Sequence, residues 1–217
     1  LKKCYSFKNK KLTKLKKVGP FMGRDKNNTY RIAILGMLTA IILIQNFVPV
    51  MGYIPIPPLN PTIIHITVII AAITLGYKDG MILGGIWGVA CIIRAFTFPT
   101  TPLDLLLFTN PVIAIVPRIL VGLVAGYVYQ ILQRTAVKDT FAMIISAILG
   151  SLTNTILVLT FIYIFYRQEY AAFVQVDVGS LLVVLGTVVI TSGLAEAIAA
   201  AVIVPLVAKP LKHFVLK

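Results

Sequence analysis

The sequence predicts an all-α integral membrane protein, a bundle of six transmembrane helices with both termini on the inner side. Three observations predict it. Of 217 residues, 59% are hydrophobic and 12% are charged, whereas soluble domains run nearer roughly 45–50% apolar and 25% charged. So few charges cannot cover a water-facing surface. Apolar runs recur along the chain at lengths suited to a bilayer, which takes roughly 20 residues of helix. The basic residues are also distributed unevenly between the two sides that these runs would define.

The runs come in order. The first is 32–50. A proline-rich, uncharged stretch, MGYIPIPPLNP at 51–61, forbids its continuation. A shorter run covers 62–75 and ends in the polar turn Gly76–Gly80. The third is 81–98, followed by a loop at 99–110 that contains Asp104. The fourth is 111–132. A polar connection at 134–139 leads to the fifth, 140–166. A polar, acidic-rich loop is expected at 167–177. The sixth run, 180–208, is loosened at its start by Gly179 and Gly186, and a basic tail follows it. With the N-terminus inside, 17 of the 20 Lys and Arg fall on inner segments, and only Arg94, Arg118 and Arg167 lie in the outer half. That asymmetry orients the chain N-in, C-in.

The net charge of +13 has the same explanation. Eleven of the basic residues precede Ile32, as a juxtamembrane cluster that meets anionic headgroups rather than nucleic acid. Residues 1–29 are read as a basic N-terminal segment and 30–217 as the six-helix domain. Met22 has two readings. It is the natural start, with the Lys-rich residues before it an artefact, or those residues form a real disordered basic arm. They are not a cleavable signal peptide, because the apolar run behind them is too long and lacks a small-residue cleavage site. Cys4 and Cys91 make neither a disulfide framework nor a metal spacing.

Small residues mark packing faces. Gly80, Gly84 and Gly88 form a GxxxGxxxG row, and Gly122 and Gly126 repeat the spacing. Such rows let backbones approach closely in lipid and are expected inside the bundle. Ala33, Gly36 and Ala40 form a similar stripe on the first helix.

Polar groups inside a membrane are costly and are functional candidates by default. At ~1.5 Å per residue, Asn60, His65, Arg94, Asn110, Arg118, Asn154 and Tyr163, with Tyr166, gather in the outer half. That convergence predicts a pocket open to the outside beneath the proline-rich loop. Each residue also has a plain structural reading. His65 suits a helix end, Arg94 can snorkel, and Asn154 can bond between helices. The tyrosines fit an aromatic belt, and Arg118 after Pro117 can hold the carbonyls of a broken turn. Glu196 is placed in the inner half and left outside the pocket. No HExxH, P-loop or GxSxG sequence is present. An intramembrane enzyme built on Glu196, His65 or Arg118 is the rival class, and it requires those groups in mutual contact.

Four stretches carry a family resemblance. They are ILGMLTA in the first run, NPTIIHITVIIAAITLGYKDGMILGGIWG from Asn60 to Gly88, VPRILVGLVAG from Val116 to Gly126, and SGLAEAIAAAVIVPL from Ser192 to Leu206. Their order and spacing resemble the substrate-binding S-components of energy-coupling factor (ECF) vitamin transporters. The likeness runs from Tyr30 to Lys212, with Gly36 standing where the family often has Ala. It implies a multi-pass protein of the bacterial plasma membrane that binds a B vitamin from outside. It also implies docking, through the Ala33–Gly36–Ala40 face, on one transmembrane scaffold subunit and two ATPase subunits. ATP is then used by those partners, with no cofactor in this chain. The His-Ile-Thr-Val-Ile-Ile pattern after Asn-Pro is most similar to pantothenate-type members, in which Arg94 would meet the carboxylate and Asn60, Asn110 and Asn154 the polar groups. A hydroxymethylpyrimidine S-component is the alternative, with stacking on Tyr53, Trp87, Phe96 or Phe98.

Overall fold

The computed structural model describes residues 26–48, 52, 62–99 and 102–215. Asn60, Tyr53 and Met22 lie outside the described residues. The chain divides into two compact units, residues 1–34 and 35–217.

Among the described residues the helices, in chain order, are α1 (Lys26–Phe47), α2 (Ile64–Thr74), α3 (Tyr77–Thr97), α4 (Pro102–Phe108), α5 (Pro111–Gln133), α6 (Asp139–Val174), α7 (Leu181–Val188) and α8 (Leu194–Val215). A π-helical turn, Val189–Gly193, joins α7 to α8. Five segments among the described residues are long and apolar enough to cross a membrane, the α7–α8 rod counting as one. The chain is thus a multi-pass membrane protein. The second apolar run forms only the 11-residue α2, ~16 Å long against a hydrocarbon core of ~30 Å. Every residue from Ile64 to Ile73 is buried, as expected of a helix apolar all round. It packs against α3, α5, α6 and α8.

Several boundaries differ from the expected ones. α3 begins at Tyr77 instead of at 81, because Gly76 takes a φ of 112° that turns the chain sharply and that other residues rarely adopt. The loop expected at 99–110 contains α4. The loop expected at 167–177 is mostly helix. α6 kinks at Tyr166 (φ −136°, ψ 31°) but continues to Val174, since Tyr170 and Ala171 have Leu107, Leu181 and Leu185 to bury against. Gly186 does not break the last rod; the irregular turn comes later, at Val189–Gly193.

The glycine rows zip α3 to α5. A Cβ on Gly80 would lie 3.2 Å from Gly122 Cα, one on Gly84 2.1 Å from Arg118 O, and one on Gly88 2.7 Å from Ala114 O. One on Gly126 would lie 2.6 Å from Tyr77 Cα. Each step of four residues up one helix matches four down the other, so the pair is antiparallel in a fixed register. In lipid this van der Waals contact replaces the hydrophobic drive that would join helices in water. The zipper sets the height of Arg118 opposite Gly84.

Candidate functional site

Where α3 ends and α5 begins, a small cavity of about 40 Å³ lies between α3, α4, α5 and the residue that leads into α2. Three aromatic residues, Trp87, Phe98 and Phe108, line it together with Thr62 and Cys91. Its charged groups are Arg94, Arg118 and Asp104. Two cations against one anion favour a ligand with one negative charge.

Arg118 is 4% exposed and tightly held. Its guanidinium lies 5.1 Å from the Trp87 ring centroid and 5.2 Å from that of Phe108, within cation–π range of both. Nη1 donates to Ile113 O. That carbonyl is the one orphaned by Pro117, which has no N–H to return to the residue four before it. Arg118 therefore repairs the helix break that the preceding proline creates. Its Nε is buried with no hydrogen-bond partner among the described residues, and so is Nε1 of Trp87. Buried donors left unpaired cost roughly 1–3 kcal/mol each, a cost that a bound acceptor would remove.

The wall residues are fixed from α1. Asn46, fully buried, donates from Nδ2 to Ala90 O (3.0 Å) and accepts from Cys91 Sγ (3.5 Å). Thr67 Oγ1 donates to Gln45 Oε1 (2.9 Å), which ties α2 to the same end of α1.

Of the residues expected in the pocket, Arg94 and Arg118 meet there, and each has contacts that hold it. Asn110 serves as the N-cap of α5 and accepts from Val112 N (3.0 Å), while its Nδ2 donates to Tyr166 Oη (3.4 Å). His65 is fully buried in α2, with the Thr62 backbone as its polar neighbour. Asn154 is buried on α6, its Oδ1 without a partner among the described residues. Tyr163 packs against the apolar cluster that contains Leu159 and Leu185.

Glu196 is placed differently from the depth estimate. Its Oε1 accepts from Thr62 N (2.8 Å) and its Oε2 from Thr155 Oγ1 (3.0 Å), so it reaches the backbone of a residue that lines the cavity. It makes no hydrogen bond with His65. Helix bending and the π turn make a count of residues from one end a poor ruler of depth. Trp87, Cys91, Arg94 and Phe98 recur at helical spacing along α3, a pattern that was available in the sequence as one face of a helix. Thr62 and Phe108 gave no such signal.

Two relatives are similar, one over about half of the chain and one over most of it. The pantothenate transporter PanT of Leuconostoc mesenteroides is 41% identical over 110 residues, 49% of this chain and 53% of that protein. This match spans about half the length of that relative. The pantothenic acid transporter PanT of Lactococcus lactis subsp. cremoris is 33% identical over 192 residues, 82% of this chain and 91% of that protein. The family model for the substrate-specific component of ECF transporters matches residues 30–208. The membrane helices, the cavity and this match together mean that the chain belongs to the ECF transporter substrate-specific component family.

Proposed function

We propose that this chain is the pantothenate-capturing subunit of an ECF importer, a binding protein rather than an enzyme. The observation that carries the reading is the Arg118 guanidinium, clamped between Trp87 and Phe108 with Nε unpaired among the described residues. Pantothenate offers one carboxylate, two hydroxyls and an amide on an aliphatic frame. Its carboxylate is assigned to Arg118, the more deeply buried of the two arginines, with Arg94 nearer the opening. The names of the two relatives support the same vitamin. Asn110 and Tyr163 act on the wall helices. His65 and Asn154 stay in the proposal as buried polar groups, and Asn60, outside the described residues, as an expected ligand contact.

The energetic part belongs to partners. The exposed stripe Ala33, Gly36 and Ala40 on α1 is read as the docking face for a transmembrane scaffold subunit that carries two ATPases. No cofactor is assigned to this chain. The six-segment, N-in/C-in arrangement belongs to the same reading, with α2 as the short segment. It is supported by the ion pair of Lys212 with Asp139 (3.1 Å), which joins two segments expected inside, at the end where α5 finishes and α6 starts.

Calorimetric titration of the purified chain, without ATPase subunits, tests the proposal against a panel of B vitamins. Pantothenate should bind tightly, with its carboxyl-reduced alcohol at least tenfold weaker. Binding of hydroxymethylpyrimidine instead would transfer the site to the stacking reading on Trp87 and Phe98. No binding to any vitamin would refute it.

A further inference from the structure

Glu196 is a buried acid that the pocket chemistry above does not use. Both of its carboxylate oxygens are committed. One accepts from the Thr62 backbone N–H and the other from the Thr155 hydroxyl. It thereby ties the chain two residues before α2 to α6 and α8. Its own helix reaches that point through the π turn Val189–Gly193. The last residue of the turn lacks a side chain where α6 is close: a Cβ on Gly193 would sit 3.1 Å from Thr155 Cγ2. Single π turns inside helices are frequent at functional sites because they re-aim the residues that follow.

What Glu196 holds is a residue of the cavity wall. Thr62 lines the cavity, and its Oγ1 is buried with no hydrogen-bond partner among the described residues. A threonine hydroxyl commonly satisfies itself on a nearby carbonyl, as Thr74, Thr97 and Thr160 do here. Thr62 lies two residues before the start of α2. Removing a buried acid from water is costly, and a lone backbone N–H does not require one. Two acceptors on one rigid carboxylate do fix Thr62 against two helices at once.

We propose that Thr62 contacts the ligand through its hydroxyl, and that Glu196 is the positioning residue that holds it there. The proposal deepens the reading of the cavity as the vitamin site and rests on it. One O–H donor and two lone pairs let Thr62 serve either a hydroxyl or an amide of the ligand.

The test is a double-mutant cycle on the full chain with pantothenate as the probe. Thr62→Val should weaken binding about tenfold, the usual effect of one lost hydrogen bond. Glu196→Ala should weaken it at least as much, while Glu196→Gln, which keeps an acceptor for Thr62 N, should stay within about threefold of the parent. In the Glu196→Ala background, Thr62→Val should add less than about twofold, because the hydroxyl is no longer in place. Additive losses, or unchanged binding in Thr62→Val, would overturn the proposal. Hydrogen exchange at the Thr62 amide reads the tether without ligand. Protection in the parent that is lost in Glu196→Ala supports the tether; equal exchange in both refutes it. If the parent binds no vitamin yet the amide is protected, the ligand reading fails, and with it the Thr62 contact, while the tether stands.

Discussion

At the scale of single residues, Arg118 and Pro117 act as one unit. The proline removes the helix donor for Ile113 O, and the arginine beside it supplies another. Two sequence-based roles for Arg118, repair of a broken turn and ligand contact, stood as alternatives. The structure gives the first to Nη1, and Nε has no partner among the described residues, which supports the second. The two roles can be separated. Arg118→Ala should destabilise the protein and weaken vitamin binding by about 10–100-fold, as for a lost charge-assisted hydrogen bond of roughly 1.5–3 kcal/mol. Adding Pro117→Ala restores a backbone donor to Ile113 O. Thermal stability in detergent should then recover while affinity stays low. Recovery of both would mean that Arg118 serves only the helix. Arg118→Lys keeps the charge but loses Nε and the planar fork, so it should not restore binding.

The elements show how closely packing follows from residue size. Glycine spacing on α3 and α5 was legible in the sequence and predicted an internal contact, and the structure has it. The same spacing does not say which partner each row meets, since that depends on register between helices. Gly84→Ala should cost about 1–3 kcal/mol by overpacking, because its Cβ would fall 2.1 Å from Arg118 O. It should also weaken binding by displacing Arg118. Gly36→Ala is the control: nothing lies within 4 Å of that Cβ, so stability should hold or rise by up to ~1 kcal/mol from helix propensity. Thermal melts of the two variants in one detergent decide it. A matching loss in both would remove the zipper from the explanation. The length of α6 and the shortness of α2 were not legible, because hydropathy marks where a chain is apolar and not where its helix stops. Burial of Tyr170 and Ala171 extends α6 past its polar residues. Gly76 ends α2 abruptly.

Across the second unit, the two ends of the bundle differ in chemistry. One holds the cavity. At the other, Asp139 accepts from Tyr129 (2.6 Å), Gln133 and Lys212, and Lys212 also lies over the Tyr129 ring at 5.1 Å. This cluster ties α5, α6 and α8 together away from the cavity. The exposed stripe of α1 gives the proposal of a docking face its own test. Gly36→Trp or Ala40→Trp should abolish uptake in cells that carry the ATPase module and leave vitamin binding by the isolated chain within about twofold, since neither residue is buried. Equal loss of binding would mark the stripe as internal packing instead.

By itself the sequence determined the membrane class, the positions of the apolar runs, the close-packing glycine rows and the polar residues worth suspecting. Each of these is a local property: composition, spacing, or the cost of a polar atom in lipid. Only the tertiary structure decided which of those polar groups meet. Thr62 and Glu196 are separated by 134 residues, and the Arg118 clamp combines rings from α3 and α4. Depth along each helix, counted from its end, kept Glu196 out of the site. Kinks, a π turn and a fixed helix register brought it to the Thr62 backbone, because contact between distant segments is set by how whole helices pack.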